Sequence, residues 1–373
     1  MPIHRFAFPT TIHFGPGARR LVAENLKAAG CKRPLIVTDR GIAPLPVLGE
    51  FRSFLSEFDL EVFSGIQGNP TASQARAGAD AYRAHKADSV IGFGGGAALD
   101  VAKVVALMAV HPGDVLEYAW DHPKVRPIDK PLPHFVALPT TAGTGSEVGR
   151  SSVISEDDTH VKRIVFSAAL LAKAVFADPE LTLGLPATIT AATGMDALTH
   201  NIESYLSPAY HPLCDGIALE GVRIIARALP LVFKDGKNLE ARADMLMGSM
   251  MGAIAFQKDL GAVHSCAHAL STVADLHHGL ANALMIDHVM RFNRPAAEEK
   301  MKELARVAGA TDLISFLVSL KKEIGIPNGL SPTGVRKDQI PRLVEIAVAD
   351  ICHQTNPRPC TRQDFEQLFA AAL

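Results

Sequence analysis

Ser89-Val-Ile-Gly-Phe93-Gly94-Gly95-Gly96-Ala-Ala-Leu-Asp100-Val-Ala-Lys103 is the stretch on which the reading of this chain turns. Its first five residues form a short apolar run, and from Ala97 to about Met108 the apolar residues follow a helical pattern. Strand, glycine turn and helix in succession make a phosphate cradle. Glycines without a Cβ let the backbone approach a pyrophosphate, and the free N–H groups and dipole of the helix start attract its charge. Asp100, one turn into the helix, is placed to bond neighbouring loop groups, and Lys103 to supply a counter-charge. The spacing is not the Gly-x-Gly-x-x-Gly of the common dinucleotide fold. A glycine triplet alone also serves as a plain structural turn, so the context has to decide.

Working outward, Pro34–Asp39 and Leu60–Phe63 read as strands, residues 73–86 as a helix, and His134–Leu138 as another buried strand. That alternation predicts a parallel sheet with helices on its faces. A second loop, Pro139-Thr140-Thr141-Ala-Gly143-Thr144-Gly145-Ser146-Glu147, follows the last of these strands. Its hydroxyls and glycines suit ribose, phosphate or nicotinamide-amide contacts, although Thr144 or Ser146 would equally serve as a helix cap. Two such loops after sheet strands favour a dinucleotide. Asp39 ends its strand in a carboxylate that can accept from a ribose hydroxyl and would repel a 2′-phosphate, which favours NAD over NADP.

From about residue 183 strand signals almost vanish. Helical patterns cover 187–206, 211–230, 238–256, 260–273, 280–293, 297–308, 311–324 and 337–348, separated by breakers such as Pro208, Pro212, Gly236 and Pro327-Asn-Gly. The expected architecture is an α/β Rossmann-like parallel-sheet domain over 1–182 and an all-α domain over 183–373, with the site in a cleft between them. The helical half carries Asp196 and His200 four residues apart, His264 and His268 at the same spacing, and then His277-His278-Gly279. Four residues is about one helical turn, so each pair can face one space. One carboxylate and several imidazoles suit a divalent ion, and the net positive charge left on it can polarise a carbonyl. Four imidazoles compete for three places, and spacing does not choose among them.

Composition excludes other classes. The chain has 373 residues, 48% hydrophobic and 20% charged, with a formal net charge of −2, so it is globular and carries no basic field for nucleic acid or an anionic membrane. Its five cysteines (Cys31, Cys214, Cys266, Cys352, Cys360) form no CxxC and predict free thiols in a reducing compartment. Met1-Pro-Ile-His-Arg lacks an apolar leader, and no apolar stretch is long enough to span a bilayer, so a cytoplasmic location is expected.

The glycine turn with its Asp and Lys, Pro139–Glu147, Gly194-Met-Asp196-Ala-x-x-His200, and Val263-His264-x-x-Ala-His268 followed by His278-Gly279 jointly resemble the iron-containing, group III alcohol dehydrogenases over essentially the whole chain. The resemblance implies a dehydroquinate synthase-like architecture and NAD as coenzyme. It further implies Fe2+, or alternatively Zn2+, held by Asp196, His200, His264 and His278. His268 then corresponds to an extra histidine beside the substrate, able to pass on the alcohol proton. Asp39, Gly94, Gly95, Gly96, Asp100, Lys103, Thr140, Thr141, Thr144, Ser146 and Lys162 are the implied cofactor-facing residues. A homodimer or higher homo-oligomer is expected. The chain departs from the family pattern at Ala97, where serine is frequent, and at Ala269 and His277, where proline is frequent.

The substrate expectation rests on fewer residues. Phe256, His268 and Cys352 are implied to border the pocket, and Arg150 is a candidate clamp for a substrate carboxylate. The stretches Phe256–Gly261, Leu276–Gly279 and Cys352–Pro357 resemble the 4-hydroxybutyrate dehydrogenase branch, which points to an ω-hydroxy acid and its semialdehyde. A generic short-chain alcohol or diol dehydrogenase of lactaldehyde reductase type is the alternative. A dehydroquinate synthase-type lyase, a maleylacetate reductase-like enzyme and a non-catalytic sensor are disfavoured.

Overall fold

The computed structural model describes residues 6–8 and 10–373. Two compact units emerge: Ala7–Thr141 with Ser146–Thr182, and Leu183–Leu373 with Ala142–Gly145. Met1–Arg5 lie outside the described residues.

The first unit holds β1 (Thr11–Phe14), β2 (Pro34–Asp39), β3 (Glu61–Ile66), β4 (Ser89–Gly94), β5 (His134–Pro139), β6 (Ser151–Ser155), β7 (Lys162–Phe166) and β8 (Ala174–Ala177). Six of them form one parallel sheet in the order β1-β8-β5-β4-β2-β3, and β6 and β7 pair as an antiparallel hairpin. Helices α1 (Val22–Ala28), α2 (Pro46–Ser53), α3 (Ala72–His85) and α4 (Gly96–Val110) accompany the sheet. From β2 the chain steps outward to β3 and then returns to β2's other side as β4. The strand order therefore reverses between β2 and β4, and open α/β sheets bind ligands beyond the carboxyl ends of strands at such a point. Asp39 and Gly94 are the last residues of those two strands.

The sheet runs as expected because its central strands are continuously apolar: Ile36, Ile91, Phe93, Val136, Leu138 and Phe176 are buried with Leu26, Leu48, Phe51 and Leu55. The Phe51 and Phe93 rings stack with centroids 4.9 Å apart, each burial stabilising by about 1.5–3 kcal/mol. In α4 every residue from Ala98 to Met108 except Asp100 is buried, as befits a helix apolar on all sides. Strands β1 and β8 and the hairpin were not among the expected elements. Four- and five-residue strands are too short for a period of two to stand out.

The second unit contains α5 (Ala187–Leu206), α6 (Pro212–Lys234), α7 (Leu239–Ala255), α8 (Ala262–Ala274), α9 (His278–Val307), α10 (Leu313–Glu323), α11 (Ile340–Ala349) and α12 (Arg362–Ala372). Helix α5 is buried along nearly its whole length and packs against α6, α7 and α9. The two helices expected at 280–293 and 297–308 form one element, α9, kinked where Ala297 leaves helical geometry two residues after Pro295. None of the described helices is long and apolar enough to cross a membrane.

Candidate metal centre and dinucleotide loops

On α5, Asp196, His200 and Glu203 follow at i, i+4 and i+7, one stripe of a buried helix. Asp196 Oδ1 is the point of convergence. His200 Nε2 lies 4.0 Å from it, His264 Nε2 3.9 Å, and His278 Nε2, from the first residue of α9, 3.5 Å. The His200 and His264 rings stack with centroids 4.7 Å apart. Ligand bonds of about 2.0–2.2 Å in a tetrahedral site put neighbouring donor atoms about 3.3–3.6 Å apart. The separations from Asp196 are at or slightly above that edge, and the ligand atoms of Asp196, His200 and His264 all lie within 4.8 Å of one another, a set that fits a divalent ion with His278 approaching from the Asp196 side. Burial pushes His200 down to about 4, opposed by the Asp196 charge. Its ring is therefore neutral near neutrality, with a lone pair available to a metal.

The structure places the competing imidazoles differently. His277 is the exposed N-cap of α9, whereas His278 faces Asp196. His268 stacks on His278 at 5.2 Å, but its Nδ1 is hydrogen-bonded to Asp350 Oδ2 at 2.7 Å.

Gly279 makes the convergence possible. A Cβ there would fall 2.2 Å from the Ala192 carbonyl oxygen and 3.2 Å from Asp196 Cβ, so only glycine lets α9 start this close to α5.

Three residues that sequence reasoning missed complete this region. Glu203 Oε2 lies 2.5 Å from His264 Nδ1, and its Oε1 accepts the Val263 N–H at 2.7 Å. A carboxylate on the remote ring nitrogen fixes the tautomer and orients Nε2. Asn282 Nδ2 donates to Asp196 Oδ1 at 2.7 Å and lies 3.4 and 3.3 Å from the Nε2 atoms of His264 and His278. Asp350 Oδ1 accepts from Ser265 Oγ and from the Cys352 N–H. The signal for Glu203 was its place seven residues after Asp196, and for Asn282 its place one turn after His278. Asp350 follows a helix remote in sequence and gave no signal.

Of the residues implied to border the substrate, Phe256 packs its ring 5.3 Å from that of His200. Cys352 is buried, and desolvation together with the nearby Asp350 charge pushes its thiol well above the usual range, which disfavours the thiolate. Arg150 sits just before the hairpin with its guanidinium 5.3 Å over the exposed Phe166 ring.

In the sheet unit, Gly94 adopts φ +156°, and a Cβ there would meet Ala98 Cβ at 2.6 Å and Asp39 Oδ2 at 3.4 Å. The Gly94 carbonyl accepts the Thr140 N–H at 3.0 Å, joining the two loops at the ends of β4 and β5. Helix α4 begins at Gly95 and Gly96 without a side-chain cap, leaving its first N–H groups to an anion. Thr141 lies against Gly95, 3.2 Å from where a Cβ would stand. Thr144 falls within Ala142–Gly145, which packs with the helical unit; a Cβ on Gly145 would lie 2.2 Å from Ala253 Cβ. Lys162 opens β7. Asp39 Oδ1 accepts the Gly41 and Ile42 N–H groups, a turn that presents the carboxylate beside Gly94.

Lys103, expected as a counter-charge, is 1% exposed, and it donates to Ser146 Oγ at 2.8 Å and to the Ser151 carbonyl at 2.6 Å. Asp100 accepts from Ser146 Oγ and from the Val153 N–H. Asp100, Lys103 and Ser146 thus tie α4 to the hairpin, and a buried ammonium demands such partners. Burial holds Lys103 below the usual lysine range.

A sheet with an uncapped glycine-rich helix start at its switch point and a helical unit that gathers one carboxylate and three imidazoles suit a metal-dependent dehydrogenase. The comparisons make the class specific. Residues 9–179 match the family "Iron-containing alcohol dehydrogenase", and residues 190–373 match "Fe-containing alcohol dehydrogenase family, C-terminal". The 4-hydroxybutyrate dehydrogenase of Cupriavidus necator is 37% identical over 98% of each chain. A crystal structure of a 1,3-propanediol oxidoreductase superposes with a TM-score of 0.94 at 34% identity over all of both chains. Sulfoacetaldehyde reductase from Bifidobacterium kashiwanohense, in complex with NAD+, does so with a TM-score of 0.89 at 29% identity, covering 100% of this chain and 99% of that one. The chain belongs to the iron-containing alcohol dehydrogenase family. It is an oxidoreductase, and the expectations of NAD and Fe2+ agree with these findings, whereas the lyase alternative does not.

Proposed function

We propose that this enzyme interconverts a short primary alcohol and its aldehyde with NAD(H), using a divalent ion at Asp196, His200, His264 and His278. The observation that carries the reading is the approach of three imidazole Nε2 atoms to one buried carboxylate oxygen. When bound, the ion supplies Lewis acidity at the substrate oxygen and the nicotinamide accepts or returns the hydride. The chain supplies the rest. Asp196 and Asn282 hold the carboxylate end of the donor set, Glu203 orients His264, and Phe256 covers one side of His200. His268 is the group placed to carry the alcohol proton. Bound metal and turnover should both collapse in His264→Ala while NADH still binds; turnover persisting in the metal-depleted variant would refute the metal reading.

For the substrate, likeness to the 4-hydroxybutyrate dehydrogenase supports an ω-hydroxy acid. A second reading, a neutral alcohol or diol, is favoured by charge. The Cys352 thiol feels Asp350, Glu203 and Asp259, all carboxylates, and Arg150 is stacked on Phe166. The deciding experiment compares kcat/KM for 4-hydroxybutyrate, 1-butanol and 1,2-propanediol on metal-reconstituted enzyme, following NADH formation. Preference for the acid supports the first reading; preference for a neutral alcohol supports the second.

A further inference from the structure

Asp350 sits at the end of α11, more than eighty positions from His268, yet the two side chains meet at 2.7 Å between Oδ2 and Nδ1. The carboxylate is itself held on its other oxygen. Ser265 Oγ donates to Oδ1 at 2.8 Å and the Cys352 N–H at 2.9 Å, while Ser265 Oγ accepts the His353 N–H at 2.9 Å. The Asp350 carboxylate accepts at both oxygens, from Ser265 Oγ and the Cys352 N–H on one and facing His268 Nδ1 on the other, which favours its ionised form. Burial opposes that, but the hydrogen bonds from His268, the Cys352 N–H and Ser265 hold it well below the usual carboxylate range. An ionised acceptor on Nδ1 leaves one neutral tautomer for His268, with the proton on Nδ1 and the lone pair on Nε2.

We infer that Asp350 is the positioning residue for proton transfer: it selects the His268 tautomer whose Nε2 can accept the alcohol proton, and it fixes the ring against His278. The inference rests on His268 carrying that proton. In the oxidation, the alcohol O–H bond breaks and its proton forms an N–H bond at Nε2. The carbinol C–H bond breaks with its electron pair leaving as hydride to NAD+, so the alcohol is oxidised to aldehyde and NAD+ is reduced to NADH. The imidazolium, paired with Asp350, then returns its proton to solvent. The same carboxylate anchors the Cys352 backbone, so one group holds the proton carrier and the segment after α11 in register.

The test uses metal-loaded enzyme with Asp350→Asn, His268→Gln, the double variant and Ser265→Ala. An asparagine keeps the volume but must turn an N–H toward one of the present donors, which disfavours the Nδ1–H tautomer. The expected result for Asp350→Asn is a kcat loss of about 10²–10⁴-fold, the usual size of a general acid–base contribution, with KM, NADH affinity and metal content changed less than about threefold. The double variant should be no worse than His268→Gln, because neighbours acting as one unit are not additive. Ser265→Ala, a smaller perturbation, should lower kcat by a lesser factor in the same pattern. Zinc-loaded, ¹⁵N-histidine-labelled enzyme should show His268 protonated at Nδ1 in the parent and lose that signature in Asp350→Asn. If His268→Gln leaves kcat unchanged, the proton-carrier reading itself fails. If His268→Gln is slow but Asp350→Asn keeps its kcat, or the double variant is additive, the role assigned to Asp350 is overturned. Loss of metal or NADH binding in Asp350→Asn likewise overturns it in favour of a purely structural role.

Discussion

Glu203 and His264, sixty-one residues apart, meet through a 2.5 Å contact between Oε2 and Nδ1, and both side chains are only 2% exposed. A carboxylate buried that deeply is stable only because each oxygen has a donor, the imidazole on one side and the Val263 N–H on the other. The pair turns His264 Nε2 toward Asp196. Glu203→Gln should therefore weaken metal binding by about 10–100-fold, because the amide must aim an N–H at one of those two donors. Chelator competition measures this directly, and an unchanged affinity would remove Glu203 from the centre.

Gly279 offers a steric counterpart. Gly279→Ala puts a methyl 2.2 Å from the Ala192 carbonyl oxygen, inside two packed helices. The expected outcome is a loss of about 1–3 kcal/mol in stability together with lower metal content, as His278 is pushed from Asp196. Denaturant melts and metal analysis check it; normal values for both would show that the α5–α9 approach is more yielding than its packing indicates.

Coenzyme choice should respond to Asp39. Its Oδ2 points past the position where Gly94 would carry a Cβ, at the strand-order reversal. Asp39→Gly is expected to raise the NADP/NAD ratio of kcat/KM by about tenfold or more, since a carboxylate repels a 2′-phosphate. Steady-state kinetics with both coenzymes decide it, and an unchanged ratio would assign Asp39 to its turn with Gly41 and Ile42 alone.

Glu147 carries a pH signature. It is 1% exposed, and burial pushes it up to about 7 against an ordinary 4.5, partly offset by Lys103. A carboxyl raised on folding leaves stability intact below its unfolded value and drains it as pH rises through its folded value, here from about 4.5 to 7. Glu147→Gln removes that loss. Its melting temperature relative to the parent should rise between about pH 5 and pH 8. A difference that is flat with pH would show that the carboxyl titrates normally.

Much of the architecture was legible because it depends on local periodicity. The strand–glycine–helix run at 89–108, the helices of residues 187–274 and the four-residue spacings of Asp196–His200 and His264–His268 are written in composition and order. The short edge strand β1, β8 and the hairpin were not, since four or five residues carry too little pattern. The burial of Lys103 was hidden for a related reason. A lysine two turns into an apolar helix reads as a counter-charge, and only the fold, bringing Ser146 and the Ser151 carbonyl to it, makes its burial tolerable.

By itself, then, the order of residues determined the two kinds of secondary structure, where one gives way to the other, and which side chains were chemically able to hold a metal or a phosphate. Tertiary structure alone decided which histidine of the 277–278 pair turns inward, that Glu203 backs His264, and that Asp350 reaches His268. The reason is physical. Helical and extended periods are properties of neighbouring residues, whereas a buried polar contact is set by the requirement that every desolvated donor and acceptor find a partner, wherever along the chain that partner lies.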